Sequence, residues 1–274
     1  MDIRLIAMDL DGTTLLADRR SFSPRLCRAL EQAHARGIRI IPVTGRQFQL
    51  LPPAVARKPI WSDLVVLCNG AQIRQLSTGE ILFQNTICPS SLKELLRLAQ
   101  DFDLPIEFSV DSVLHLTNRS LTLQQGVENL HFHLDTILAR HGEIVDSLEP
   151  VCAMPVEKVN LPYIPQPLHR AVEQALLEIE AAAVWSGSTS MEITHPDATK
   201  GSALLRLSTL TGIPTANMMA LGDSGNDESM LRAAGLGVAM GNAPGFVKAT
   251  AAAVTETNEN DGAAIAIERY ALNL

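Results

Sequence analysis

Short apolar runs alternate with helix-like stripes at the two ends of the chain. Ile3 to Met8 is apolar but for Arg4, Ile38 to Val43 is β-rich, and Leu64 to Cys68 is apolar throughout. Runs of this kind predict strands buried on both faces. Between the first two, Leu26, Ala29, Leu30 and Ala33 recur at helical spacing. Ser23 is placed to cap that helix, Pro24 to open it and Gly37 to close it. A further helix is expected to begin at Thr44-Gly45-Arg46. Strand, helix, strand, helix, strand in sequence predicts a parallel sheet with helices on both faces, a Rossmann-like α/β core.

The rhythm then changes. Ile73 to Leu76 and Ile81 to Phe83 flank Ser77-Thr78-Gly79-Glu80 and predict a hairpin. Ser90 to Phe102, Leu121 to Leu138 and Pro167 to Ala181 read as helices. Ile106 to Val110, Val113 to Thr117, Lys158 to Ile164, Ala183 to Trp185 and Met191 to Thr194 read as short strands. This mixed pattern predicts an inserted α+β domain over residues 86–190, with candidate hinges near Asn85 and Ser190. Residues 1–85 and 191–274 form the expected core. In its second part Lys200 opens a helix that Gly212 ends. Met218 to Leu221 and Gly237 to Met240 are strands, a helix ends near Ala234, and another runs from Gly262 to Tyr270. Ala249 to Ala253 is expected to pack as a short apolar stretch.

Composition narrows the class. At 274 residues, 46% hydrophobic and 19% charged, the chain is long enough for a large folded core. A formal charge of −8 without a Lys/Arg cluster argues against nucleic acid as a partner. No apolar run reaches the length of a membrane helix, and Asp2 and Arg4 do not fit a signal peptide. The four cysteines, Cys27, Cys68, Cys88 and Cys152, are widely spaced and read as buried thiols of a reducing, cytoplasmic compartment. The chain is expected to work without nucleic acid or membrane, as a monomer or homodimer.

The candidate chemistry sits where predicted strands end. Asp9 and Asp11 stand two apart after the first strand, so extended backbone turns both to one side, and Gly12 permits a sharp turn. Thr44, Asn69, Asp223 and Asn242 also follow strands. In an open α/β sheet these ends share one edge, where ligands bind. Phosphoryl transfer is the chemistry they suggest. A cation is needed between carboxylates and a phosphate ester, and Mg²⁺ prefers oxygen ligands. Asp9 and Asp223 are natural ligands, with Asp227 beside them. Thr44 offers a hydroxyl and Gly45 an open N–H to phosphate, and Lys200 a compensating charge. Asp9 can attack phosphorus, while Asp11 moves protons.

Asp9-Leu10-Asp11-Gly12-Thr13, Thr44-Gly45-Arg46, Lys200-Gly201 and Gly222-Asp223-Ser224-Gly225-Asn226-Asp227 resemble the four ordered motifs of the haloacid dehalogenase-like phosphatases. The insert's position resembles the cap of the Cof-type branch (type IIB). Asn69-Gly70-Ala71, Val238 to Ala243, and Thr255 with Asn258 and Asp261-Gly262 resemble that branch too. The resemblance implies an Mg²⁺-dependent phosphatase of small phosphorylated metabolites, sugar phosphates or phosphorylated cofactors, working through an aspartyl-phosphate. It implies Asp9 as nucleophile and metal ligand, and Asp11 as acid/base with its carbonyl on the metal. Lys200 would stabilise nucleophile and phosphoryl group, with Asp223 as metal ligand and Asp227 as its support. Thr44 with Gly45 would bind phosphate, Asn226 would contact phosphate or a metal-bound water, and Asn242 would line the phosphate pocket. Thr14 departs from the family's usual Leu, which is expected to alter the following loop rather than activity.

Several readings stay open. Arg46 either binds substrate or pairs with a surface carboxylate, and Asn69 either faces phosphate or ends a strand in a turn. His131 and His133 fit cap-surface or substrate-pocket positions better than a metal site, since no third ligand accompanies them. Trp61 and Trp185 fit packing. Two rivals remain: a phosphotransferase or mutase that uses the same Asp9, and a low-turnover regulatory binder of phosphometabolites. The proton-carrying Asp11 argues against the binder.

Overall fold

The computed structural model describes residues 2–56, 60–127, 130, 133–134 and 141–274. It contains two compact units, one of Met1–Arg46, Leu51–Phe83 and Thr199–Leu274, the other of Gln47–Leu50 and Gln84–Ala198.

In the first unit, strands β1 (Leu5–Met8), β2 (Arg39–Pro42), β3 (Leu64–Leu67), β4 (Gln72–Gln75) and β5 (Ile81–Gln84) precede the insert. Strands β12 (Met218–Gly222), β13 (Leu236–Ala239) and β14 (Ala253–Val254) follow it. The main sheet runs β14-β13-β12-β1-β2, all parallel. Successive β1 residues divide between two cores. Ile6 and Met8 pack with Leu26, Leu30 and Ala263, while Leu5 and Ala7 pack with Leu204, Leu207 and Met230. Both faces are thus covered by helices, which explains why the strands read as apolar runs without alternation.

Helix Pro24–Ala35 has Ser23 as its N-cap, its side chain accepting from Leu26 N, and Gly37 beyond it takes a left-handed φ of 77°. Helix Lys200–Thr211 has the cap that the sequence left unassigned. Thr199 and Ser202 form a capping box, and Gly212 closes the helix at φ 67°.

Two expectations change here. β3 leaves the main ladder and joins β4 and β5, pairing antiparallel with β4. Thr44 N still donates to Val66 O at 2.9 Å, and Ile40 N donates to Ser62 Oγ at 3.0 Å on the same edge of β2. Between them stands Pro42, which has no N–H to donate, so the β2–β3 ladder is reduced to one bridge, Val43 to Val66. The helix expected from Thr44 onward is instead a short 3₁₀ turn at Phe48–Leu50 and one turn at Pro53–Ala56, broken by Pro52-Pro53.

In the second unit, β6 (Glu107–Val110), β7 (Val113–Leu116), β8 (Gly142–Ile144), β9 (Lys158–Leu161), β10 (Ala182–Trp185) and β11 (Met191–Thr194) form a sheet in the order β10-β11-β9-β6-β7-β8. Helices Pro89–Asp101 and His169–Leu176 supply Leu92, Leu95, Val172 and Leu176 to one face, against Phe108, Val159 and Ile193. The alternate strand positions are polar. Glu107 is fully buried and accepts from Gln124 Nε2 at 2.9 Å, from Asn160 Nδ2 at 3.2 Å, and lies 2.7 Å from His133 Nε2. The expected boundary at residue 190 falls inside the β10–β11 hairpin. Met191 pairs with Trp185 and Leu161, so the chain returns to the first unit only at Thr199. Of the long helix expected over 121–138, the structure shows Asn118–Gln125, and residues 128–129, 131–132 and 135–138, His131 among them, lie outside the described residues. Cys68 and Cys152 are buried, Cys27 and Cys88 only half-buried, and all four are free thiols.

Candidate active site

The strand ends of the first unit bring the acidic residues together. β1 and β12 are adjacent and in register, Met8 opposite Leu221, so the loops that follow them emerge side by side. Asp9 N donates to Leu221 O at 3.0 Å and continues the ladder by one residue. Asp9, Asp223 and Asp227 can each present a carboxylate oxygen within 4.8 Å of the others.

Lys200 stands among them. Its Nζ is 2.6 Å from Asp9 Oδ1 and 2.6 Å from Asp227 Oδ1, and its side chain is 1% exposed. Burial alone would lower its pKa, but the charges of Asp227 and Asp9 outweigh burial and raise it, so it remains an ammonium. Burial is also the main reason that the Asp9 pKa lies well above the ordinary range; Lys200 opposes the rise, and Asp227 and Asp223 add to it. Asp223 is pushed up to about 6, first by burial and against the hydrogen bond from Thr13.

The three carboxylates are differently engaged. Asp227 Oδ2 accepts from the N–H groups of Asp223 and Ser224, both at 2.9 Å, and its Oδ1 is held by Lys200. Asp227 therefore braces the loop and the lysine. Asp223 Oδ1 accepts from Thr13 Oγ1 at 2.7 Å, and among the described residues its Oδ2 has only a 3.4 Å contact from Asn242 Nδ2. Asp9 Oδ2 has no hydrogen-bond partner among the described residues. Gly12, at φ 79°, lets the loop pass so close that a Cβ there would stand 2.4 Å from Asp223 Oδ2.

Asp11 does not join this cluster. Its side chain is 38% exposed, and Arg46 forks onto it, Nε to Oδ2 at 2.7 Å and Nη2 to Oδ1 at 2.6 Å. Arg46 thus pairs with a carboxylate of the candidate site rather than with a remote surface acid. Thr44 is buried, its Oγ1 accepting from Arg46 N at 3.1 Å, and Gly45 lies between them. Asn69 ends its strand in a turn, the second of its open readings. It turns the chain at φ 57°, and its Oδ1 accepts from Asn226 Nδ2 at 2.9 Å. Asn242 Nδ2 donates to Gly12 O at 2.8 Å.

Sequence reasoning missed the hydroxyls. Thr13 holds Asp223, and Thr14 Oγ1 donates to Asp9 O at 2.8 Å in a buried contact. Thr14 thus helps to fix the loop of Asp9. Ser224 Oγ donates to Asn226 Oδ1 at 2.6 Å and orients that amide.

The donor set fits a divalent cation. Three acids gather around one ammonium in a largely buried site, so acidic groups are in excess there. Oxygens of Asp9 and Asp223 are spare, and oxygen ligands suit a hard dication.

The chain matches the haloacid dehalogenase-like hydrolase family over residues 6–267. It is 30% identical over 288 residues to phosphatase YwpJ of Bacillus subtilis (strain 168), which covers 96% of this chain and 98% of that protein. Pyridoxal phosphate phosphatase YbhA of Escherichia coli (strain K12) is 29% identical over 275 residues, 96% of this chain and 97% of that one. A solved haloacid dehalogenase-like hydrolase from B. subtilis has a TM-score of 0.83 at 26% identity, across 98% of this chain and 100% of that chain. Matched motifs, carboxylate cluster and fold agree, and the chain belongs to the haloacid dehalogenase-like hydrolases, in their Cof-type branch, as a phosphatase.

Proposed function

We propose that the protein is an Mg²⁺-dependent hydrolase of small phosphate monoesters that works through an aspartyl-phosphate on Asp9. The observation that carries this reading is the Lys200 bridge between Asp9 and Asp227, with Asp223 alongside and Asp11 kept apart. Two acids two residues apart thereby have different environments, as a nucleophile and a proton carrier require.

Asp9, Asp223 and the backbone carbonyl of Asp11 would hold the cation, with Asp227 supporting them. Bound Mg²⁺ supplies charge compensation between the carboxylates and the phosphate and orients the ester. Lys200 opposes the rise in the Asp9 pKa, favouring the carboxylate that attacks, and offers its charge to the phosphoryl oxygens. The Thr44 hydroxyl, the Gly45 N–H, Asn69, Asn226 and Asn242 bind or orient phosphate. Phosphate arriving at Arg46 would compete with Asp11 for its guanidinium fork. A carboxylate oxygen of Asp9 forms a bond to phosphorus as the ester P–O bond breaks, and Asp11 gives its proton to the leaving alkoxide. Asp11 then takes a proton from the water that attacks phosphorus, releasing phosphate and Asp9.

Substrates are small phosphorylated metabolites, sugar phosphates or phosphorylated cofactors; a relative named for pyridoxal phosphate supports the second kind. The inserted unit is proposed to choose among them. Free thiols throughout support a reducing, cytoplasmic setting. No helix among the described residues is long and apolar enough to cross a membrane. Phosphate release over a library of phosphometabolites, with Asp9→Asn as control, tests the proposal. Activity on some members, lost in Asp9→Asn and on chelation, is the expected result; turnover by Asp9→Asn at the wild-type rate would overturn it.

A further inference from the structure

The first unit has a second charged concavity, at the opposite edge of its main sheet from Asp9. A cleft of about 250 Å³ is lined by Asp2, Arg4, Arg36, Arg39, Thr211 and Ile213 among others. Arg39 opens β2 and Arg4 directly precedes β1, whereas the carboxylates follow the ends of parallel strands. The cleft is therefore separate from the candidate active site.

Three arginines line this cleft in a chain of net charge −8. Arg4 and Arg39 are exposed, and their side chains make no ion pair or hydrogen bond among the described residues. Arg36 spends one N–H on Leu272 O at 2.6 Å and has no carboxylate partner there. Backbone ties hold the strand starts at the cleft, Arg39 N donating to Arg4 O at 2.9 Å and Arg4 N to Asn217 O at 2.8 Å. The ordinary explanation of such arginines is compensation of local negative charge. Helices Pro24–Ala35 and Lys200–Thr211 both end here, each presenting about half a negative charge, and Asp2 adds one more. Together these balance about two of the three guanidiniums, which leaves the cleft positive, the forks of Arg4 and Arg39 unused and that of Arg36 used only in part.

We propose that this cleft binds a compact polyanion, a diphosphate group, through Arg4, Arg36 and Arg39. Arginine forks match phosphate oxygens in pairs, and two linked phosphates carry enough charge and oxygens to engage three of them. The proposal is independent of the catalytic reading.

Inorganic pyrophosphate is the probe, titrated calorimetrically into the full chain at low ionic strength in EDTA. Without a cation, the acidic cluster of the active site repels the probe. One pyrophosphate per chain is expected, with affinity weakened about tenfold in Arg4→Gln/Arg39→Gln, at roughly threefold per exposed charge pair, and weakened again by added salt. Turnover of an aryl phosphate without pyrophosphate should be unchanged in that variant. Arg97→Gln/Arg170→Gln, which removes the same charge from exposed sites in the other unit, should bind as wild type does. Equal weakening in both variants, equal affinity of wild type and Arg4→Gln/Arg39→Gln, or no binding at millimolar pyrophosphate would each overturn the proposal.

Discussion

Replacing Lys200 by Met tests the electrostatics of the candidate site directly. The lysine is 1% exposed and makes two contacts of 2.6 Å, to Asp9 and Asp227. Methionine keeps much of the apolar stem, so the packing loss stays below about 1.5 kcal/mol. What remains is a group of buried carboxylates without their cation. Breaking a buried ion pair in this way costs about 3–5 kcal/mol near pH 8. The carboxylates can escape this cost by taking up protons. Burial already raises the Asp9 pKa, and losing Lys200 removes the charge that opposes the rise. An acid whose folded pKa exceeds its unfolded value destabilises the fold above that pKa, and the penalty is relieved as pH falls through it. The difference between wild type and Lys200→Met, measured by urea unfolding without metal, should shrink from about 3–5 kcal/mol at pH 8 to below about 2 kcal/mol at pH 5. A loss that is the same at both pH values would mean that packing, not charge, is what Lys200 supplies. A loss below about 1 kcal/mol at pH 8 would refute the buried-cluster argument altogether.

Asp9→Asn is expected to lower turnover at least about 10⁴-fold, by analogy with loss of other catalytic nucleophiles, with an unchanged circular dichroism spectrum. Metal affinity should follow Asp223, pushed up to about 6. Since ligands bind metal deprotonated, Mg²⁺ affinity measured calorimetrically should fall as pH is lowered through about 6, by up to about tenfold per pH unit for this group; equal affinity at pH 5 and pH 7 would count against Asp223 as a ligand. Gly12→Ala puts a methyl group 2.4 Å from Asp223 Oδ2 at a φ of 79°, and is expected to cost about 1–2 kcal/mol in unfolding free energy from the left-handed backbone alone and to weaken Mg²⁺ binding as well. Thr14→Val removes the buried hydroxyl that donates to Asp9 O and is expected to cost about 1–3 kcal/mol in urea unfolding, with turnover reduced through a less constrained nucleophile loop.

Some of this was legible in the chain because burial leaves a periodic trace. β1 and β12 are covered on both faces, so they appear as unbroken apolar runs, and Ser23-Pro24 and Gly37 punctuate the helix beside them. Asp9, Thr44, Asp223 and Asn242 could be placed at one edge because each follows such a strand. Other features leave no local trace. Pro42 is visible as a residue, yet its effect depends on which β2 edge its missing N–H would have faced. Met191 to Thr194 reads as a strand, but only its pairing with β9 and β10 places it in the second unit. Polar partners are the least legible. Thr13 lies 210 residues from Asp223, Lys200 lies 191 from Asp9, and nothing at either end encodes the other. The same limit explains Asp9 and Asp11. Their spacing marks both as acids on one side of a turn, which is a local property. That one is buried on a lysine while the other is half in solvent under an arginine fork depends on Lys200 and Arg46, brought in by separate elements. The different roles proposed for the two acids rest on the two different cations, Lys200 and Arg46, that the fold brings to them.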